Sequence, residues 1–555
     1  MKSAPICLVK YCLFFLSFFF ITQTLYADEV NVFFQQGVEY QKNGQTKEAI
    51  ELYQKALQLN PDFAEAHYEI GWSYWVLGKW KDVVFHWRKA KKLGFEKEDF
   101  EDSFKIANAR LKGKGLEVVR VAMGTSATAQ FAAKKSNNEE GEMSEEPQES
   151  LSMQLVARFQ QYNNKPESES DHYDTSIFSP KSVTFSLDGK KAYVNSLEGL
   201  ATVVYDTTAL QKIKVIMHRF NQNNRHLFIH AELFPSWATF LPTDEFPNPN
   251  TFYGKPVEFA SSHNGRYLWV SYYRRHFDKN ALYPSAIGLI DTETDTLVRV
   301  MNVGPIPKFM AVSPDNKYLA TIHWGDNTVG LINIEGNDIN SFHHEALINV
   351  GKPLDLKSLP EEVQSLPKEK IDRDKHCGSC LRGAVFTPDG HYLLVGMMHG
   401  GGIAIVDVEK KKYIGSVYGM KPTPRHLVLS NDGQTLYVSS NISGYVSSFS
   451  LPDIIDTILS GRHTIKPLQE TKVGKGARTI SLSKDEKLLF SAINYKNMMV
   501  ALDPQTLKIL LKIPVDSYPV GLAVSPDSKQ VWITSQGKMS GGGNSVSVYS
   551  LTTSP

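Results

Sequence analysis

The stretch "PRHLVLSNDGQTLYVSS" (424–440) decides the fold. Pro424 opens a short alternating segment, Arg425 to Leu429. Asn431-Asp-Gly433 has the chemistry of a tight turn, and "TLYVSS" (435–440) is a second apolar segment. Two such segments flanking Asp-Gly read as paired antiparallel strands. The same signature occurs at "PKSVTFSLDG" (180–189), "PVEFASSHNG" (256–265), "PKFMAVSPDN" (307–316), "LRGAVFTPDG" (381–390), "ARTISLSKDE" (477–486) and "PVGLAVSPDS" (519–528). That makes seven starts.

Each start runs into further strands, as in "SAIGLIDTETDTLVRVMNVG" (285–304). The tightest spacings, Thr387 to Ser430 and Ser483 to Ser525, are about 42–43 residues, the length of one four-stranded blade. Four short strands per unit, repeated seven times, predict a β-propeller over residues 153–555. The last unit ends after its third strand, at "NSVSVYSLTTSP", so its outer strand is expected from "MQLVARFQQY" (153–162). "AVSPDNKYLATIHWGDNTVGLINIEGN" and "LAVSPDSKQVWITS" resemble the YVTN-type propeller repeat. The resemblance implies the fold. Propellers of this type serve bacterial surface proteins, secreted binding proteins and enzymes alike, so function must be argued from the site.

Residues 30–94 repeat about every 34 residues, the period of a helix–turn–helix repeat. Gly37, Tyr40 and Ala56 recur as Gly71, Tyr74 and Ala90. The small residues let paired helices approach and the aromatics fill the gap between them. "AIELYQKALQLNPDFAEA" resembles the tetratricopeptide (TPR) repeat. The second unit departs from it at Val83, Trp87 and Phe95, and "KEDFEDSFKIANARLK" (97–112) reads as a capping helix. The resemblance implies a groove for a peptide or partner protein; a packing or dimerisation module is the alternative.

The expected class is therefore α+β and multidomain: a short TPR solenoid over 28–115 followed by an all-β propeller. Between them, 116–152 includes "KKSNNEEGEMSEEPQES", too polar and acidic to bury a core, and is expected to be a disordered linker. "KPESESD" (165–171) is similar.

The 555 residues are 42% hydrophobic and 21% charged, with formal net charge +1. This balance gives no sign of a nucleic-acid partner. Lys2, Lys10, the apolar run 11–22 and Ala27 form the pattern of a secretory signal peptide over 1–27. Cleavage is expected after Ala27, with an uncleaved anchor as the alternative. Export to the periplasm or cell surface follows, with no transmembrane helix after cleavage. Cys7 and Cys12 would leave with the signal. Cys377 and Cys380 then remain in an oxidising compartment.

The second residue of the seven starts is Lys181, Val257, Lys308, Arg382, Arg425, Arg478 and Val520. Five of the seven are basic. Aligned in a ring, Lys181, Lys308, Arg382, Arg425 and Arg478 would surround one mouth of the central channel and focus positive potential there. A carboxylate, a phosphate or an acidic peptide would bind them; strand-entry charges that merely face solvent or pair with local acids are the alternative. Three loops are expected on the same face: 225–254, 271–284 and 353–380. So are His276, His323, His399 and His426, with His376 beside the cysteines.

Cys377-Gly-Ser-Cys380 is followed by Leu381, which excludes the haem attachment motif C-x-x-C-H. It enters a strand and does not open a helix, unlike a thioredoxin-type pair. A metal site would need further ligands, for which the histidines and the Met397–Met398 pair are candidates. The favoured reading is a short disulfide pinning the insert beside Arg382, with a free dithiol as alternative. No metal and no cofactor is assigned. The motifs G-x-S-x-G, H-E-x-x-H and the phosphate-binding loop do not occur; "HHEALI" (343–348) lacks the second zinc histidine, and "DTETD" (291–295) lacks the glycine of a calcium loop. One enzyme lead stands: residues 424–440 are similar to a repeat of seven-bladed lactonases of the phosphogluconolactonase type, in which Arg425 and His426 would face the substrate. The expectation is an exported binding or scaffold protein for envelope assembly or surface adhesion. A propeller enzyme or cofactor carrier at the same face is the alternative.

Overall fold

The computed structural model describes residues 29–41, 45–77, 79–96, 100–111, 121–122, 150–166, 168–228, 251–274, 278, 280–352, 354, 361–367, 370–537 and 543–554. The signal-peptide reading of 1–27, most of the linker, His276 and most of the loop 225–254 lie outside them.

Among the described residues the N-terminal unit has five helices: α1 (29–41), α2 (Thr46–Leu59), α3 (Ala64–Val76), α4 (Trp80–Lys92) and α5 (Phe100–Leu111). The repeated glycines are contact points. A Cβ on Gly37 would stand 2.7 Å from the Tyr53 ring, and one on Gly71 would stand 2.3 Å from the Trp87 ring. Each glycine thus lets a large aromatic lie flat against the neighbouring backbone. Trp87, which departs from the repeat pattern, is fully buried and donates Nε1–H to the Tyr68 carbonyl at 3.0 Å. Phe95, where a proline closes the standard repeat, stacks on Tyr68 with centroids 4.4 Å apart.

Among the described residues the second unit is a ring of seven blades, six of them four-stranded antiparallel sheets and the seventh a four-stranded antiparallel core to which two short strands are added. The innermost strands are Pro180–Phe185, Pro256–Ser262, Pro307–Val312, Leu381–Phe386, Pro424–Leu429, Ala477–Leu482 and Pro519–Val524. Each packs on the next, and the seventh packs on the first. Between adjacent blades lie clusters of buried aliphatic and aromatic side chains, such as Ala320, Leu331, Leu393 and Val406 between the third and fourth.

The turn after each inner strand explains its sequence. In five blades a Ser or Thr hydroxyl donates to the Asp two residues on, as in Ser186–Asp188 and Ser525–Asp527, both at 2.6 Å. The same hydroxyl accepts the N–H that restarts the second strand, as from Lys191 at 2.9 Å and Gln530 at 2.8 Å. Gly189, Asn316, Gly390 and Gly433 take positive φ at the turn, where glycine and asparagine are tolerated best.

The ring is closed by its own ends. The seventh blade uses Ser150–Gln160 as outer strand, antiparallel to Ser545–Ser554, with Ser150 opposite Ser554 and Gln160 opposite Ser545. The strand begins three residues earlier than expected: Ser150–Ser152, assigned by composition to the disordered linker, belong to the ladder, and Val121–Ala122 pair with them. Leu151 and Met153 are buried, so packing outweighs the polar composition. The acidic stretch 165–171 also ends in order. Asp171–Tyr173 run parallel to Arg158–Gln160, and Arg158 bridges Asp171 and Asp516 at 3.3 and 3.4 Å.

Candidate ligand-binding site

The ladder between the first and second strands is broken at one place in every blade. The register slips after Pro180, Pro256, Pro307, Leu381, Pro424, Ala477 and Pro519. The residue that follows each is the second column of the sequence alignment. The cations therefore sit in β-bulges, which leave a residue outside the ladder and re-aim its side chain. In six of the seven blades the residue before the strand, Ser179, Ile306, Cys380, Thr423, Gly476 or Tyr518, takes positive φ. That conformation is strained for bulky residues, and its repetition marks a common device at the mouth of the ring.

The five cations converge. Lys181 feels the charges of Arg478, Arg382 and Arg425, and Lys308 feels those of Arg382 and Arg425. Hydrogen bonds between blades fix their backbones. Thr534 donates to the Lys181 carbonyl at 3.1 Å, Ser439 to the Arg478 carbonyl at 2.5 Å, and the Arg382 guanidinium to the Lys308 carbonyl. Gly383 and Gly521 permit the approach; a Cβ on either would stand 2.6 Å from the Arg425 carbonyl or 2.4 Å from that of Lys181.

Two cations have acid partners that sequence reasoning missed. Arg382 Nη2 donates to Glu258 Oε1 at 2.8 Å. Glu258 occupies the third column of the second blade, where the second column is Val257, so a ring read one column at a time passes over it. Lys308 Nζ contacts the Asp374 carboxylate, which also takes the Tyr273 hydroxyl. Lys308 lies 3.9 Å from the Trp324 ring centroid, and Trp324 Nε1–H donates to the Asp374 carbonyl at 3.0 Å. Asp374 lies in the insert before Cys377, and nothing in its local sequence signals this pairing.

Lys181, Arg425 and Arg478 make no ion pair among the described residues. Arg425 donates only to Met398 Sδ at 3.4 Å, and Arg478 lies 5.8 Å from the Tyr518 ring centroid. Burial and mutual repulsion push Arg425 and Lys181 well below their ordinary ranges. Burial pushes Lys308 down to about 7, because desolvation and the neighbouring guanidiniums outweigh Asp374.

Beneath the ring a cavity of about 270 Å³ runs between the inner strands. Ser182, Glu258, Phe309, His426, Thr479 and Gly521, all third-column residues, line it. His426 packs edge-on against Phe309 with centroids 5.3 Å apart, and burial pushes it down to about 3, so it is neutral. Its Nδ1 has no hydrogen-bond partner among the described residues.

The remaining expected face residues divide. His399 is exposed, on the loop after Met398, beside the cysteines. His323 is not on the face: it is fully buried, with ring nitrogens 2.7 Å from Thr328 Oγ1 and 2.9 Å from Thr321 Oγ1, and it accepts the Gly304 N–H at 3.1 Å. It ends a second strand, and there its side chain turns into the blade, against Gly304 and Gly330. Cys377 and Cys380 form a disulfide with Cα atoms 4.9 Å apart.

Known proteins fit this architecture. Residues 32–78 match the TPR repeat family, and residues 341–550 match the family described as lactonase, 7-bladed beta-propeller. The chain thus combines a TPR repeat region with a seven-bladed β-propeller, both typical protein-interaction folds. No curated protein matches. Among solved structures it is similar to the β-propeller domain of Myceliophteria thermophila Cps50 (Swd1), at 11% identity and TM-score 0.46, covering 68% of this chain and 97% of that one. It is also similar to Kuenenia stuttgartiensis hydrazine synthase, at 12% identity and TM-score 0.45, covering 69% and 98%. Neither likeness is strong enough to bear on function. Among the described residues no helix is long and apolar enough to cross a membrane.

Proposed function

We propose that this is an exported binding protein whose propeller holds anionic groups, carboxylate or phosphate, at the basic channel mouth, while the TPR region engages a protein partner. The observation that carries the reading is the excess of charge. Among the described residues, Lys181, Lys308, Arg382, Arg425 and Arg478 face only Glu258 and Asp374 within ion-pair distance, and three of the cations have no acid partner there. Unpaired charge away from water is costly unless a counter-ion answers it. The guanidiniums offer planar forks suited to carboxylate or phosphate. Export rests on the N-terminal signal pattern and agrees with the disulfide. A role in envelope assembly or surface adhesion is the finer form of the proposal.

Calorimetric titration with inorganic phosphate and with an acidic peptide tests the site. The expected result is saturable binding to the wild type, weakened at least about tenfold in Arg425→Gln/Arg478→Gln, consistent with the loss of charge-assisted hydrogen bonds. No binding by either probe, or equal affinity in the variant, overturns it. Fractionation of the native host tests export.

A lactonase-like hydrolase is the second reading. The family match over 341–550 favours it, as does the position of His426 in the lining of the cavity. Lactone hydrolysis lost in His426→Gln with anion binding retained would establish it.

A further inference from the structure

Cys377 and Cys380 enclose a tight turn in which the Cys380 N–H donates to the Cys377 carbonyl at 3.0 Å. The loop joining the second and third strands of the fourth blade lies across it. Met398 N–H donates to the Cys380 carbonyl at 3.2 Å, and His399 N–H donates to the Ser379 carbonyl at 3.1 Å. From the third blade, Asn327 Oδ1 accepts the Ser379 N–H at 3.0 Å. These bonds hold the cysteine turn and the histidine loop together without help from the sulfur–sulfur bond.

His399 Nδ1 stands 2.9 Å from Cys380 Sγ and 4.0 Å from Cys377 Sγ. Both cysteines are fully buried and His399 is exposed, so the cluster is packed on the sulfur side and open on the imidazole side. Two thiolates in a C-x-x-C turn and one imidazole are a donor set for soft or borderline ions.

We propose that reduction of the Cys377–Cys380 disulfide turns this clip into a metal site, in which both thiolates and His399 Nδ1 bind a zinc-class divalent ion with a fourth position open to solvent. The reductant is a dithiol. It passes two electrons and two protons to the cysteine sulfurs and leaves as its own disulfide. Metal binding then displaces the two thiol protons to water, and His399 binds as the neutral tautomer carrying its proton on Nε2. In the oxidised chain the sulfurs are spent on each other, so the site is closed. The site is independent of the anion-binding reading, since none of its ligands belongs to the ring.

Cobalt(II), a spectroscopic stand-in for zinc, tests it on the full chain. The expected result is one equivalent bound by the reduced protein, with thiolate-to-cobalt charge-transfer absorption, and none by the oxidised protein. Cys380→Ser should abolish the charge-transfer band of two thiolates. His399→Ala, an exposed position that puts folding at little risk, should weaken cobalt binding at least about tenfold. A reduced wild type without the band overturns the proposal, and so does equal affinity in His399→Ala.

Discussion

Lys308 shows how the ring couples charge to stability. Its ammonium faces Asp374, the Tyr273 and Trp324 rings and the guanidiniums of Arg382 and Arg425. With its value lowered to about 7, and an unfolded lysine near about 10.4, the unfolded chain binds the extra proton between those limits. Stability should therefore rise with pH through that window and be at its lowest on this account below about 7. Urea denaturation across the window should show a shallower rise in Lys308→Met; an unchanged slope would refute the assignment. Anion affinity should run the other way, falling above pH 7 as Lys308 loses its charge. Arg478→Gln removes an unpaired guanidinium, so the ligand-free protein should be as stable as wild type or more so. A loss above about 1 kcal/mol would show that Arg478 has a structural role.

At the scale of elements, the bulge is the device that makes a site from a repeat. A regular strand would send the second-column residue to one face of its own blade; the bulge turns it toward the axis instead. Turn residues, strand lengths and blade count were legible in the sequence because each depends on local chemistry repeated seven times. His323 was not, because whether a strand-end side chain faces the mouth or the neighbouring blade depends on packing against Gly304 and Gly330. The helical repeats are similarly local. Gly71→Ala sets a methyl 2.3 Å from the Trp87 ring, so it should destabilise the helical unit by about 1–3 kcal/mol, read as an earlier loss of helical circular dichroism. An unaltered melt would mean that Trp87 can move aside.

At the scale of the whole propeller, stability depends on closure. Removing residues 150–160 leaves Ser545–Ser554 as an unpaired edge, an invitation to aggregation. The truncated chain should lose its cooperative unfolding transition, and a synthetic peptide of residues 150–160 should restore it in trans. A truncated chain that unfolds like the wild type would show that the outer strand contributes little.

The sequence by itself determined the two repeat architectures, the closure of the ring by a strand from ahead of the first blade, and the column of cations. All of these follow from short-range periodicity and turn chemistry, which repetition amplifies. Only the tertiary structure decided which cations keep an acid partner, because Glu258 and Asp374 reach Arg382 and Lys308 from other blades and inserts. It alone brought His399 to the cysteines and set His426 in the wall of the cavity with its Nδ1 lacking a partner among the described residues. Those contacts join residues far apart in the chain, and no local pattern encodes a distance that exists only once the ring has closed.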